Sequence, residues 1–223
     1  MSTAGYSPTP TEKKRPGWMV GGATVVSFVA LLYVIEAIDQ VSGSRLEQDG
    51  IRPLEVDGLW GILWAPLLHA NWAHLIANTV PALVLGFLVS LAGMSRFIYA
   101  TVIVWIVGGF GTWLIGNLGA PSYNGVTVET NHIGASGLIF GWLTFLIVFG
   151  FFTRHAWQII VGIVVFLVYG GILWGALPGT FGVSWQGHLC GGIAGVIAAY
   201  VLSGPERTAR QRGKSGTAPQ PTF

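Results

Sequence analysis

Charge is what this chain has least of. Lys, Arg, Asp and Glu together make up 9% of its 223 residues, against about 25% in an ordinary soluble protein. That excludes a domain wetted on all sides. Cysteine is nearly absent, and a lone Cys190 excludes an internal disulfide. The net charge is only +2, and the Lys and Arg residues sit at the ends of apolar runs, so no basic surface for nucleic acid exists. Metal motifs are missing as well. There is no His-Glu-x-x-His, and His69 and His74 are five residues apart rather than the four of a zinc-binding helix pair. Neither a metal nor a cofactor is expected.

What the chain does have is apolar length. Hydrophobic residues make up 52% of it and the mean hydropathy is +0.63. Six runs approach the roughly 20 residues that cross a hydrocarbon layer: 18–38, 66–92, 97–115, 133–152, 157–174 and 185–202. The fold class is therefore an all-α polytopic membrane protein, a six-helix bundle over residues 18–204. Residues 1–17 and 205–223, rich in Pro, Ser, Gly and basic residues, read as disordered cytoplasmic tails.

Positive charge orients the bundle. With the N-terminus inside, Lys13, Lys14, Arg15, Arg96, Arg154, Arg207, Arg210, Arg212 and Lys214 are cytoplasmic, and only Arg45 and Arg52 are outside. This agrees with the positive-inside rule and predicts a cell-membrane protein with both termini in the cytoplasm. The first outer connection, 39–65, is long and acidic and carries Trp60 and Trp64, which suit a membrane interface.

Polar residues within spans are functional candidates. Here they converge. The second, fourth and sixth spans all run inward, and each carries its polar residues early: His69, Asn71, His74 and Asn78; Ser136; and His188. Ser136 and His188 are expected three to five residues past their helix starts, with His74 and Asn78 a little deeper. His188, Gly191, Gly192 and Gly195 share one helix face, and Gly137 and Gly141 repeat the four-residue spacing beside Ser136. Glycine ridges let membrane helices meet backbone to backbone, which would bring a serine hydroxyl to an imidazole. His74 and Asn78, at i and i+4, can aim two donors at one point, and Pro81 below them is a site for bending. Taken singly, Gly-x-Ser-Gly also reads as a packing surface and Asn78 as a bridge between helices. His132 and Glu36 read as interfacial residues and His155 as cytoplasmic.

Three segments resemble the motifs of rhomboid intramembrane serine proteases. His69-Ala70-Asn71-Trp72-Ala73-His74-Leu75-Ile76-Ala77-Asn78 resembles their second-helix motif, Gly134-Ala135-Ser136-Gly137 their nucleophile motif, and the run from Gly187-His188 to Gly191-Gly192 and Gly195 their sixth-helix motif. The resemblance implies Ser136 as nucleophile and His188 as general base in a dyad with no acidic third member. It also implies oxyanion donors in His74, Asn78 and the Ser136 backbone N–H, and supporting roles for Gly134, Gly137, Phe140, His69, Gly191 and Gly195. Phe140 stands where many relatives place a Tyr beneath the histidine, and Trp60-Gly61 where many show Trp-Arg. The expected reaction is peptide hydrolysis in transmembrane segments of other membrane proteins, near the outer face, with lateral access beside the fifth helix. Water is expected in a polar cavity bounded by the second, fourth and sixth helices. Two other readings remain open: a catalytically silent rhomboid-like binder or chaperone, and a haem electron carrier ligated by His74 and His188.

Overall fold

The computed structural model describes residues 15–120, 122–123, 126–127, 129–180 and 182–215. Six helices are each long and apolar enough to cross a membrane: α1 (Gly17–Val41), α2 (Trp72–Leu91), α3 (Met94–Ile115), α4 (Ser136–Thr153), α5 (Ala156–Ala176) and α6 (Trp185–Leu202). The only strands among the described residues are β1 (Ser122–Tyr123) and β2 (Val126–Thr127), a short antiparallel pair between α3 and α4. The expected all-α, six-span architecture is present.

α4 is the central helix. It is apolar on every side, and such a helix belongs in an interior. Leu138, Ile139, Phe140, Trp142, Leu143, Phe145, Leu146 and Phe149 are all buried. α5 is the least enclosed of the six. The largest helix interface joins α4 to α6, and glycine makes it possible. A β-carbon on Gly191 would run into the backbone of Gly137, and one on Gly195 into the Gly141 carbonyl and the Thr144 hydroxyl. The two backbones are in direct contact at two successive turns. Thr144 Oγ1 donates 2.7 Å across the same seam to the Gly192 carbonyl, a bond worth roughly 0.6–2 kcal/mol between membrane helices. α3 joins this core through a π-helical segment, Val104–Gly108, with Gly108 lying against Gly191. On the far side α1 packs on α2, where Gly21 meets Ser90 and Val25 meets Gly86. α2 runs through Pro81 without interruption from Trp72 to Leu91.

The long connection between α1 and α2 is folded rather than extended. It contains 3-10 turns at Leu46–Asp49, Asp57–Trp60 and Ala65–Leu67 and a helical turn at Gly61–Trp64. Two α3 indoles fasten it: Trp105 donates to the Ile62 carbonyl and Trp113 to the Glu55 carbonyl, both at 2.7 Å. Arg52 pairs with Glu55 at 2.8 Å and with Asp57. Trp60 and Trp64 remain exposed, as the interface reading requires. Glu36, expected at the interface, is instead buried and accepts a 3.2 Å bond from Gln40 Nε2. Its neighbour Asp39 is also buried, and accepts the Leu46 N–H at 2.8 Å. Asp39 holds the end of α1 to the turn that follows, while Glu36 braces the last turn of α1 internally.

The C-terminal stretch corrects an expectation. Residues 205–215 have the composition of a disordered tail, yet Gly204–Ser215 forms a helix, α7. It has no apolar periodicity to announce it. Polar contacts hold it instead: Glu206 pairs with Arg96, the Arg207 guanidinium lies 3.6 Å from the Tyr200 ring centroid, and Arg210 donates 2.7 Å to the Phe152 carbonyl at the end of α4. The tail residues 1–14 and 216–223 lie outside the described residues.

The glycine seam makes a stability prediction. Gly191→Val sets a side chain against main-chain atoms that cannot rotate away, and overpacking of this kind destabilises by about 1–3 kcal/mol. Gly171→Ala, where a β-carbon meets nothing within 4 Å, serves as control. Thermal unfolding of the detergent-solubilised chain should fall for the first and hold for the second.

Candidate active site

Three helices begin at one end of the bundle, and their first turns carry the candidate residues. α2 starts at Trp72, not near Pro66, because Asn71 Oδ1 caps it by accepting the His74 N–H at 2.9 Å. The apolar 65–68 stretch that looked like its first turn is a separate 3-10 turn and a stretch of extended chain. His74 is thus the third residue of α2, Ser136 the first of α4 and His188 the fourth of α6. His74 therefore sits no deeper than the other two, and Ser136 lies nearer its helix start than expected. Of these three helices only α4 begins without a side-chain cap. The first N–H groups of a helix have no intrahelical acceptor, and the helix dipole adds positive potential there. The Ser136 N–H belongs to that set.

Ser136 and His188 meet where the glycine seam opens. His188 Nε2 lies 2.8 Å from Ser136 Oγ. Its other ring nitrogen, Nδ1, lies 2.8 Å from the Gly175 carbonyl oxygen. A carbonyl only accepts, so Nδ1 carries the hydrogen and Nε2 presents a lone pair to the serine hydroxyl. Phe140, one turn beyond Ser136 on α4, stacks on the imidazole with centroids 4.1 Å apart and planes 10° from parallel. Gly175 closes the Nδ1 edge, since a β-carbon there would lie 3.2 Å from both His188 Nδ1 and Phe140. The ring is fixed in plane, in tautomer and in rotation. Sequence reasoning missed Gly175, because a backbone acceptor leaves no side-chain signature.

His74 reaches the same point from α2. Gly134 has φ +118°, a region other residues rarely adopt, and its α-carbon faces the His74 ring. A β-carbon on Gly134 would lie 2.7 Å from His74 Cε1, 2.9 Å from Nε2 and 3.7 Å from Ser136 Oγ. The histidine and the serine therefore border one small space. His69 packs edge-on against His74, with centroids 5.0 Å apart, and accepts the Ala135 N–H at a long 3.4 Å. Asn78, one turn along α2 from His74, is buried, and its Nδ2 has no hydrogen-bond partner. A buried amide donor left unpaired is destabilising by about 1–3 kcal/mol, and such sites call for an explanation in terms of function. Gly191 lies at the seam beside Gly137, directly behind the site, while Gly195 lies one turn further down.

A cavity of ≈ 50 Å³ adjoins Ser136. By the ~10–15 Å³ that each water requires, it is large enough for more than one. Its walls differ from those expected. They come from α3 (Val104, Thr112), the starts of α4 and α6, and the first connection (Ile51, Ile62), while α2 itself contributes none. The π-helical segment of α3 supplies part of the wall through Val104, Trp105 and Gly108. His132 and Ser184 also line it. His132 is buried, not interfacial: its backbone exchanges two 3.0 Å bonds with Ile51 and its ring contacts Ser184 and Thr130. No group of three or more His, Cys, Asp or Glu side chains suited to a metal occurs among the described residues.

Comparisons with known proteins show the family. The Rhomboid domain family model matches residues 56–205. A stretch of 213 residues is 62% identical to an uncharacterized protein of Mycobacterium tuberculosis strain H37Rv, covering 94% of this chain and 87% of that protein. An uncharacterized protein of Mycobacterium leprae is 57% identical over 216 residues, 96% of this chain and 84% of the relative. A protein of Acanthamoeba polyphaga mimivirus with a provisional rhomboid designation is 31% identical over 140 residues, 61% of this chain and 70% of its own length. The chain belongs to the rhomboid family, and with its six apolar helices it is a multi-pass membrane protein.

Two histidines outside the spans make the fold sensitive to acid. Burial, reinforced by nearby His74, pushes His69 down to about 4, and the Leu67 carbonyl, outside hydrogen-bond geometry, opposes this only in part. Burial likewise pushes His132 down to about 4 against the Gly116 carbonyl. An imidazole whose folded-state value lies below its unfolded value of about 6.5 leaves the unfolded chain binding the extra proton. Their contribution is whole above about pH 6.5 and is lost as pH falls toward 4. The melting temperature in detergent should decline steadily between those limits. A flat profile contradicts the assignment.

Proposed function

We propose that this protein is an intramembrane serine endopeptidase that hydrolyses peptide bonds in or near transmembrane segments of other membrane proteins. The observation that carries the reading is the 2.8 Å Ser136 Oγ–His188 Nε2 bond, with Nδ1 engaged by the Gly175 carbonyl. A serine hydroxyl becomes nucleophilic only beside a base, and here the lone pair already faces it.

The steps follow from the chain's own groups. His188 Nε2 takes the Ser136 proton as Oγ bonds to the scissile carbonyl carbon, and the negative charge moves to the carbonyl oxygen. His188 then gives the proton to the leaving amine as the C–N bond breaks, which leaves an acyl ester on Ser136. Water, activated by His188 in the same way, hydrolyses the ester and restores the serine. His74, the unpaired Asn78 amide and the uncapped start of α4 at Ser136 supply donors and positive potential for the oxyanion. No carboxylate orients the histidine. In an apolar setting an additional buried anion is expensive, and the Gly175 carbonyl provides direction without charge. The cavity beside Ser136 is suited to supply the hydrolytic water.

The reading places the protein in the cell membrane with both termini cytoplasmic and the site toward the outer face, on the distribution of Lys and Arg. Substrates are segments that unwind cheaply, containing Gly, Ser or Pro, because an intact helix keeps its carbonyls bonded. Access lies beside α5, the least enclosed span. The haem reading has less support: both nitrogens of His188 are already engaged.

The experiment is cleavage of a model transmembrane substrate together with labelling by a fluorophosphonate. Ser136→Ala and His188→Ala should abolish both, and intact cleavage in either variant overturns the reading. A correctly folded parent that neither cleaves nor labels points to the silent binder. Asn78→Ala should lower kcat by about 10²–10³ with little change in KM, the loss typical of one oxyanion donor.

A further inference from the structure

A second serine–histidine pair lies beside the first. His132 Nδ1 is 2.7 Å from Ser184 Oγ, and both side chains border the cavity that adjoins Ser136. The hydrogen positions in this cluster follow from its partners. Thr130 Oγ1 lies 2.8 Å from Asn117 Oδ1, an acceptor, so the Thr130 hydrogen is used there. The bond between Thr130 Oγ1 and His132 Nε2, at 3.1 Å, must then be donated by the histidine. With its hydrogen on Nε2, neutral His132 presents a bare Nδ1, and the Ser184 hydroxyl donates to it. The Ser184 oxygen in turn accepts the Gly187 N–H at 3.2 Å, capping α6. At the other end Asn117 Nδ2 donates to the Pro53 carbonyl at 3.4 Å. Each hydrogen is used once, and the chain runs in one direction from the helix cap to the first connection.

This cap stands directly before the base. His188 is the fourth residue of α6, and its own N–H bonds the Ser184 carbonyl at 3.0 Å. A second tie acts on the same turn, where Gln186 Nε2 donates to the Gly116 and Leu118 carbonyls at 2.9 and 2.7 Å. The first turn of α6 is thus moored to the segment between α3 and α4, which itself leads into Ser136. A Ser cap needs its side chain in one rotamer to receive the N–H. His132 fixes that rotamer by accepting the hydroxyl hydrogen.

We propose that His132 is a positioning residue for the Ser136–His188 pair, acting through the Ser184 hydroxyl to set the first turn of α6. The proposal rests on the functional reading above. His132 touches no reacting atom. It determines where Nε2 of His188 stands relative to Ser136 Oγ, a placement that must hold to about 0.5 Å.

Two substitutions at one position separate this role from ordinary structural support. His132→Asn retains a hydrogen-bonding atom where Nδ1 was and keeps the tie to Ser184. His132→Gln retains one where Nε2 was and keeps only the tie to Thr130. Both remove the ring. The readouts, on the full chain in detergent, are the rate of fluorophosphonate reaction at Ser136, kcat and KM on a model transmembrane substrate, and melting temperature. The expected result is a fall of about 10–100-fold in labelling rate and kcat for His132→Gln at unchanged KM, with most of the rate restored in His132→Asn. Ser184→Ala should behave like the Gln variant and Ser184→Thr like the parent, which keeps the comparison available if a His132 variant fails to fold. Equal rates in the Asn and Gln variants, or a change confined to melting temperature, overturn the proposal. If Ser136→Ala abolishes labelling while both His132 variants match the parent, this proposal alone falls. If labelling persists in Ser136→Ala, the functional reading falls and takes this proposal with it.

Discussion

Everything at the site depends on two main chains touching. Gly137 and Gly141 of α4 face Gly191 and Gly195 of α6 with no side chain between them. In a bilayer, helix association draws little from hydrophobicity and relies on close packing and interhelical bonds. Backbone contact gives the closest packing available. It also shortens the distance between groups at the helix ends, so that Ser136, one residue before Gly137, and His188, three before Gly191, come to 2.8 Å. The Ser136–His188 geometry is a by-product of the seam, and Phe140 uses the same proximity to lie flat on the imidazole.

A second constraint shapes the surroundings. Polar groups withdrawn from water must find partners, and here most do so through backbone: the Gly175 carbonyl for His188, the Gly116 and Leu118 carbonyls for Gln186, the Gly192 carbonyl for Thr144. Two departures from that pattern lie at the site. α4 starts uncapped, and the Asn78 amide is unsatisfied.

Much of this was legible in the sequence, and the failures have physical causes. The spans were visible because a membrane demands long apolar runs, and the glycine seam because its spacing matches helical periodicity. The start of α2 was misjudged because Pro66, Leu67 and Leu68 are as apolar as the helix that follows; the decisive signal was Asn71, a cap. His132 looked interfacial because its partners, Ser184 and Thr130, come from different segments and depend on the fold. The walls of the cavity differ because α3 and the folded first connection supply them, and no residue pattern announces the π-helical segment that α3 brings there. α7 escaped because ion pairs and cation–ring contacts hold it, and these leave no apolar stripe.

The orienting acceptor for His188 is main chain, and this has a genetic consequence. A carboxylate in that role can be deleted by one codon change, and a mutational scan would reveal it as an essential residue. The oxygen of Gly175 is carried by every amino acid. Its contribution therefore persists through substitution for as long as the 3-10 turn from Gly170 to Ala176 keeps its course, and it registers in a scan only through side chains that crowd the ring. One third of the hydrogen-bonded line from serine to histidine to acceptor is thus encoded in the path of the chain and not in any letter of its sequence.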